Sequence, residues 1–351
     1  MSSTISKKDC AALVACLGGA VASYQLLKYL YSKQQRNRDD WVPIGRVKTL
    51  YIYPIKSCKA KPVFSLHCGY LCATSHENFD RKFLVTDPNG HFFTGRVKPQ
   101  LILVESDVRD GILYLSYEGE KAQVPLNGIK ETNSIIKATL FRDERQDGFD
   151  CGEVAAEFFT KVLGEPARLV MHEPGLYTER KITTKEDWWN NNEVPKRTDD
   201  KPYTDNTPYM VTTQASLNDL NERLDEKVES VQFRANIIVD GCPAWDEDRW
   251  AELRFGDQPT NDAPEMQCYR PCDRCIMTTI NPETGVRHQQ EPLKSLREFR
   301  MPTGRMAGVF KSPIFGDRQC GRDTNPLLSN LCIDVVDEET PNFKCAVFYI
   351  F

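Results

Sequence analysis

The chain has 351 residues, enough for two domains or for one large domain with an extension. Hydrophobic residues at 40% and aromatics at 10% indicate a globular protein with a real core and exclude a disordered chain. A net charge of −5, with no basic stripe interleaved with aromatics, argues against a nucleic-acid partner, because phosphate binding concentrates Lys and Arg.

Cys10 to Tyr31 is apolar over about the ~20 residues a helix needs to cross hydrocarbon. Its one interior charge, Lys28, lies near the end where its stem can reach the interface, beside Tyr24, Tyr29 and Tyr31. A cleaved signal peptide is the competing reading, with Lys7 and Lys8 as the basic start and Ala20-Val21-Ala22 as the cleavage site. Apolar residues continue past that site into a basic flank (Lys33, Arg36, Arg38), which favours a membrane anchor with the body on the cytosolic side. Arg36 to Val42 then reads as a polar linker.

The body reads as largely β. Val47 to Ile55 is rich in β-branched and aromatic residues and stops around Pro54. Lys82–Thr86 and His91–Thr94 flank Asn89-Gly90, and Leu101–Val108 and Ile112–Tyr117 flank Asp110-Gly111; both are hairpin signals. Such close succession predicts an antiparallel, barrel-like domain. Asp150 with Glu153 resembles a capping box opening a helix whose apolar face is Val154, Ala155, Phe158, Phe159 and Val162, closed by Gly164. Thr178 to Asn206 is polar and reads as a long loop between domains; its Trp188-Trp189 pair suits a substrate or membrane contact, or simple anchoring of the loop. A second helix is expected from Ser216, with Leu217, Leu220 and Leu224 on one side.

The densest chemistry lies between Cys268 and Gly285, where Cys268, Cys272 and Cys275 sit beside Arg270 and Arg274. Neighbouring guanidinium groups favour thiolate, the form that binds metals or attacks substrates. Three readings compete. Structural zinc wants four ligands, but there is no second C-x-x-C, and none of the five His forms a matching pair. A thioredoxin-like pair lacks a βαβ setting. The third reading is a lone cysteine ligand to a metal whose other ligands belong to a cofactor. The residues alone leave the last two level, with inert buried thiols as the plain competitor. Anchors for an anionic group occur elsewhere: Lys56 and Ser57 at a strand end, Arg81, and Arg234 with Asn236 before a probable strand. Taken singly, each is an ordinary solvated side chain.

Taken together, Y-P-I-K-S-C-K (Tyr53–Lys59), F-D-R-K-F, F-R-A-N-I-I-V and C-D-R-C-I-M-T-T-I-N-P-E-T-G resemble the MOSC family, and their order and spacing are similar to its mitochondrial amidoxime-reducing branch. The likeness runs from about Val47 to Gly316. It implies a mainly β (α+β) chain with a few packing helices. Residues 1–42 would be a transmembrane anchor and linker, 43–175 an N-terminal MOSC β-barrel-like domain, 176–206 a polar connecting loop, and 207–351 the catalytic MOSC domain. It implies a molybdenum–molybdopterin cofactor with Cys275 as the metal ligand and catalytic centre. Lys56, Ser57, Arg81, Thr213, Arg234, Asn236 and Arg274 fall on positions that hold the cofactor, while Cys268 and Cys272 fall outside the ligand position.

The activity implied is reduction of N-hydroxylated compounds (amidoximes, hydroxylamines, N-oxides). The alternatives are a non-catalytic cofactor carrier and a sulfur-transfer protein. The electrons would come from cytochrome b5 and NADH-cytochrome b5 reductase, since no G-x-G-x-x-G follows a strand. The expected location is the mitochondrial outer membrane with the body facing the cytosol, or another cytosol-facing membrane such as the endoplasmic reticulum. The tail after Gly316 departs from the family pattern, and a barrel without its closing strand would expose an edge.

Overall fold

The computed structural model describes residues 41–182, 199–256, 265–304, 307–308, 310–321, 332–334 and 346–350. The expected membrane helix and the Trp188-Trp189 pair lie outside them. Among the described residues no helix is long and apolar enough to cross a membrane.

The chain is mainly β, with three α-helices among the described residues, Glu153–Leu163, Gln214–Asn221 and Leu293–Phe299. Its largest sheet closes on itself. The first strand, Val42–Ile52, pairs antiparallel with Ile237–Asp240 through Leu50↔Ile237 and with Ala346–Ile350 through Val42↔Tyr349. Around the other side, Ile237–Asp240 runs parallel to Tyr209–Thr213, which pairs with Ile314–Gly321. Glu265–Asp273 and Glu252–Gly256 follow, and the latter pairs with Ala346–Ile350. The unfamiliar tail therefore supplies the closing strand. No edge is left open there, which removes the hazard of an unpaired barrel strand.

Alternation explains the barrel interior. Val47, Val211, Ile237, Val239, Leu253, Phe255, Met266 and Cys268 point into one buried cluster around Trp250. Met210, Ile238, Cys272 and Phe315 face outward, where they meet Leu217, Leu220, Leu224 and Phe233 beside the helix Gln214–Asn221. That helix begins two residues earlier than its apolar pattern suggests, because the Thr213 side chain accepts a hydrogen bond from Ser216 N and caps it.

The other large cluster packs the helix Glu153–Leu163 through Ala155, Phe158, Phe159 and Val162 onto Leu169, Leu113 and Val124. Gly164, at φ 71°, ends the helix with its N–H on Thr160 O. Its start differs from expectation. Gly152 is the N-cap, and Asp150 instead accepts from Gly152 N at 3.1 Å and pairs with Arg168. Both hairpins form. Asp110 and Gly111, at φ 53° and 69°, connect Glu105–Arg109 to Ile112–Tyr117 as the two-residue turn that matches strand twist. Leu101 belongs to a 3-10 turn, Pro99–Leu103, so the strand starts only at Glu105. The first strand belongs to the same closed sheet as the C-terminal strands, so sheet pairing crosses the division between 43–175 and 207–351.

Candidate functional site

One cleft gathers side chains from seven separated stretches. Its lining includes Lys56, Ser57, Thr94, Arg96, Phe141, Asp205, Arg81, Arg234, Asn236, Cys272, Arg274, Cys275 and Met277. The exit from the first strand builds one wall. Tyr53 is fully buried, its N–H donates to Asp80 Oδ1 at 2.9 Å and its hydroxyl to Ala235 O at 3.0 Å. Arg81 and Arg234 both lie over this ring, with guanidinium carbons 4.3 and 4.4 Å from its centroid.

Asp80 sets the order here. Besides Tyr53 N it accepts from Asn236 Nδ2 at 3.2 Å and pairs with the Arg81 guanidinium. Burial works against the charge on Arg81, but Asp80 and Tyr53 outweigh it and hold the pKa above its ordinary value. Arg234 is pulled down by burial, with Tyr53 opposing. It donates to Cys58 O at 2.9 Å through Nη1, while Nη2 is buried with no hydrogen-bond partner. Ser57, Arg81 and Arg234 all sit in the left-handed region, at φ 71°, 53° and 55°. Such backbone costs about 1–3 kcal/mol per residue and clusters where a surface must be shaped for a ligand.

Lys56 enters from beside the same strand end. Its Nζ donates to Tyr203 O at 2.8 Å and pairs with Asp205. Burial lowers its pKa to about 8 despite Asp205. The segment carrying Asp205 reads as a solvated linker in the sequence, yet Tyr203, Thr204 and Thr207 are buried. Arg180 donates to Thr204 O and Asp205 O at 3.0 and 3.1 Å, and Lys201 donates to Asp205 O at 2.7 Å, fixing the segment as cleft wall. Polarity alone hid this, because buried cations serving backbone carbonyls look like surface charge in a sequence.

Cys275 is the exposed cysteine among the described residues, where Cys58, Cys151, Cys242, Cys268 and Cys272 are buried. Burial pushes the Cys58 and Cys242 thiols up to about 12, which makes them inert. Cys275 precedes the 3-10 turn Ile276–Thr279, whose Thr278 N–H and hydroxyl both donate to the Cys275 carbonyl, at 3.1 and 3.0 Å. Cys272 lines the cleft as well, whereas Cys268 faces the barrel interior. No three His, Cys, Asp or Glu side chains among the described residues could share a metal, which leaves the structural zinc reading without ligands there.

Arg274 is buried and turned inward. It donates to Phe315 O at 2.9 and 2.6 Å and to Phe233 O at 2.9 Å, tying the cysteine turn to the strand Ile314–Gly321. Thr213 is not part of the cleft. Its hydroxyl lies 2.7 Å from Ser216 Oγ and 3.2 Å from Glu247 Oε2 in a closed cluster at the helix start.

The donor set suits an anionic cofactor joined to a metal by one sulfur. Lys56, Arg81 and Arg234, the last with one N–H unpartnered, line the cleft that exposes the Cys275 thiol. The sequence matches the MOSC N-terminal beta barrel domain over residues 44–166 and the MOSC domain over residues 198–316. Similar curated proteins include the mitochondrial amidoxime reducing component 2 of Bos taurus, 37% identical over 278 residues and covering 78% of each chain. The mitochondrial amidoxime-reducing component 1 of Homo sapiens is 33% identical over 86% of each chain. That of Danio rerio is 35% identical over 85% of this chain and 87% of its own.

Proposed function

Because the chain belongs to the MOSC family, within its group of mitochondrial amidoxime-reducing components, we propose that it is a molybdenum-dependent N-reductase. The observation that carries this reading is the shared cleft: the exposed Cys275 thiol opens onto the same space as Lys56, Arg81 and Arg234.

Cys275 would ligate the metal through its sulfur, a soft donor suited to such a centre. Lys56, Ser57, Arg81, Arg234 and Asn236 would hold the pterin and phosphate parts, with Arg234 Nη2 supplying a donor that has no protein partner. Arg274 would act at one remove, since its guanidinium fixes the cysteine turn through backbone carbonyls. The bound cofactor would supply the two-electron chemistry that breaks an N–O bond. For an amidoxime the balance is two electrons and two protons in, amidine and water out. The protein would hold and orient the cofactor, the division of labour expected of a cofactor enzyme.

Electrons would arrive from cytochrome b5 and its reductase. Residues 10–31 would hold the body at a mitochondrial outer membrane, where tethering raises the effective concentration of membrane-bound donors. We read 43–175 and 207–351 as the two functional domains, sharing the first strand. The test is elemental analysis of the purified protein together with benzamidoxime reduction in the presence of reconstituted donors. Stoichiometric molybdenum and turnover, both lost in Cys275→Ser, support the reading. Zinc, or no metal in a folded protein, overturns it, and molybdenum without turnover indicates a carrier.

A further inference from the structure

The cations around the cleft are not equally occupied. Lys56 is matched by Asp205 and Arg81 by Asp80, while Arg274 spends its donors on the carbonyls of Phe233 and Phe315. Arg96 differs. Its guanidinium lies 4.8 Å over the Phe141 ring and Nε donates to Thr94 Oγ1 at 3.3 Å. Among the described residues no carboxylate pairs with it and no acceptor takes the outer fork of the guanidinium.

Its place in the cleft is also distinct. Arg81 and Arg234, both half-buried, converge on Tyr53. The turn carrying Arg96 instead packs beside the cysteine turn: a Cβ on Gly95 would come within 2.9 Å of Met277 Sδ, two residues from Cys275. Arg287 donates to the Arg96 carbonyl and ties this turn to the segment after the cysteine. A half-buried arginine, held over an aromatic ring and braced by a threonine, is pre-organised to bind a planar anion through two parallel bonds.

We infer that Arg96 selects substrates that carry an anionic group, a carboxylate or sulfonate, as well as the N-hydroxylated centre reduced at the Cys275 end of the cleft. The inference rests on the N-reductase reading. Arg96 would be a specificity residue, orienting the substrate by its charge and leaving the chemistry to the cofactor.

The experiment compares neutral benzamidoxime with 4-carboxybenzamidoxime on the full-length enzyme, for wild type, Arg96→Gln and Arg96→Lys. Wild type should show the lower KM for the carboxylate. Arg96→Gln should raise that KM roughly tenfold or more, the loss expected for a charged hydrogen-bonded contact. KM for the neutral substrate and molybdenum content should stay as in wild type, and Arg96→Lys should recover part of the loss because charge returns without the fork. Titration with 4-amidinobenzoate, a product analogue, reads the same preference without turnover. Equal KM changes for both substrates overturn the inference. So does molybdenum loss in both variants, which would place the guanidinium on the cofactor. If wild type reduces neither substrate, the N-reductase reading fails, and weaker 4-amidinobenzoate binding in Arg96→Gln still decides whether the anion site exists.

Discussion

The Asp80 and Glu247 clusters are both fully buried carboxylates at strand or helix ends, yet they are completed in opposite ways. Asp80 is surrounded by donors (Tyr53 N, Asn236 Nδ2 and the Arg81 guanidinium), and beyond it Arg234 keeps one N–H unpartnered. Glu247 has hydroxyl side-chain partners: Ser216 donates to its Oε2 at 2.8 Å and Thr213 lies at 3.2 Å, while Oε1 has no side-chain partner. The first cluster carries surplus positive charge and one spare donor beside the cleft. The second has a spare acceptor, and the nearest cation, Arg300, is paired with Asp248, so it relieves itself by taking up a proton. A spare buried donor invites an anion, whereas a spare buried carboxylate oxygen raises a pKa.

The largest effect should come from the cleft. Cys275→Ser is expected to lose stoichiometric molybdenum and about three orders of magnitude of N-reductase activity, beyond the roughly 10–100-fold that groups supporting a metal ligand cost. Cys268→Ser, inside the barrel, should retain its metal. Elemental analysis of both proteins reads the difference, and equal losses would dissolve the special status of Cys275.

Next in size is the pH response of the other cluster. Burial, reinforced by Asp248, raises Glu247 to about 7 from an ordinary 4.5. The folded protein therefore holds a proton that the unfolded chain releases over this interval. The stabilisation is complete below about 4.5 and is lost as pH rises through about 7. By linkage it amounts to roughly 3 kcal/mol. Glu247→Gln removes the titration, so urea midpoints of wild type should fall across this window while the variant stays flat. Parallel curves would mean that Glu247 titrates normally and that the contrast between the clusters is not electrostatic.

How much of this could be read beforehand follows the range of the interactions involved. The hairpins were legible because Asn89-Gly90 and Asp110-Gly111 carry their own backbone geometry, with Gly90 at φ 90° and Asp110 at φ 53°. The helix face Phe158, Phe159 and Val162 was legible from its period. Its cap was misread because Asp150 finds a stronger partner in Arg168 from a neighbouring strand. Of the cleft, the family motifs marked Lys56, Arg81, Arg234 and Cys275. They could not show that Arg180 and Lys201 fold a polar stretch into its wall, or that Arg96 joins it over Phe141. Those contacts join distant segments, and nothing local announces them. The closing strand Ala346–Ile350 was hidden for the same reason, as only its two neighbours reveal its role.

Two substitutions then set the clusters against each other at finer scale. Arg234→Met removes the spare donor but keeps an apolar stem against Tyr53. It should weaken cofactor retention about 10–100-fold, read as molybdenum content after dilution and dialysis. Thr213→Ala should do the reverse. Thr213 caps the helix Gln214–Asn221 through Ser216 N at 3.1 Å, and loss of such a cap costs about 1 kcal/mol. The expected result is a lower urea midpoint with molybdenum content unchanged, and near-complete recovery in Thr213→Ser, which restores the hydroxyl. This is the smallest of the effects and the most discriminating, because Thr213 was assigned to the cofactor by motif and to the Glu247 cluster by geometry. If Thr213→Ala keeps its stability and loses molybdenum, the hydroxyl reaches the cofactor and the two clusters form one site.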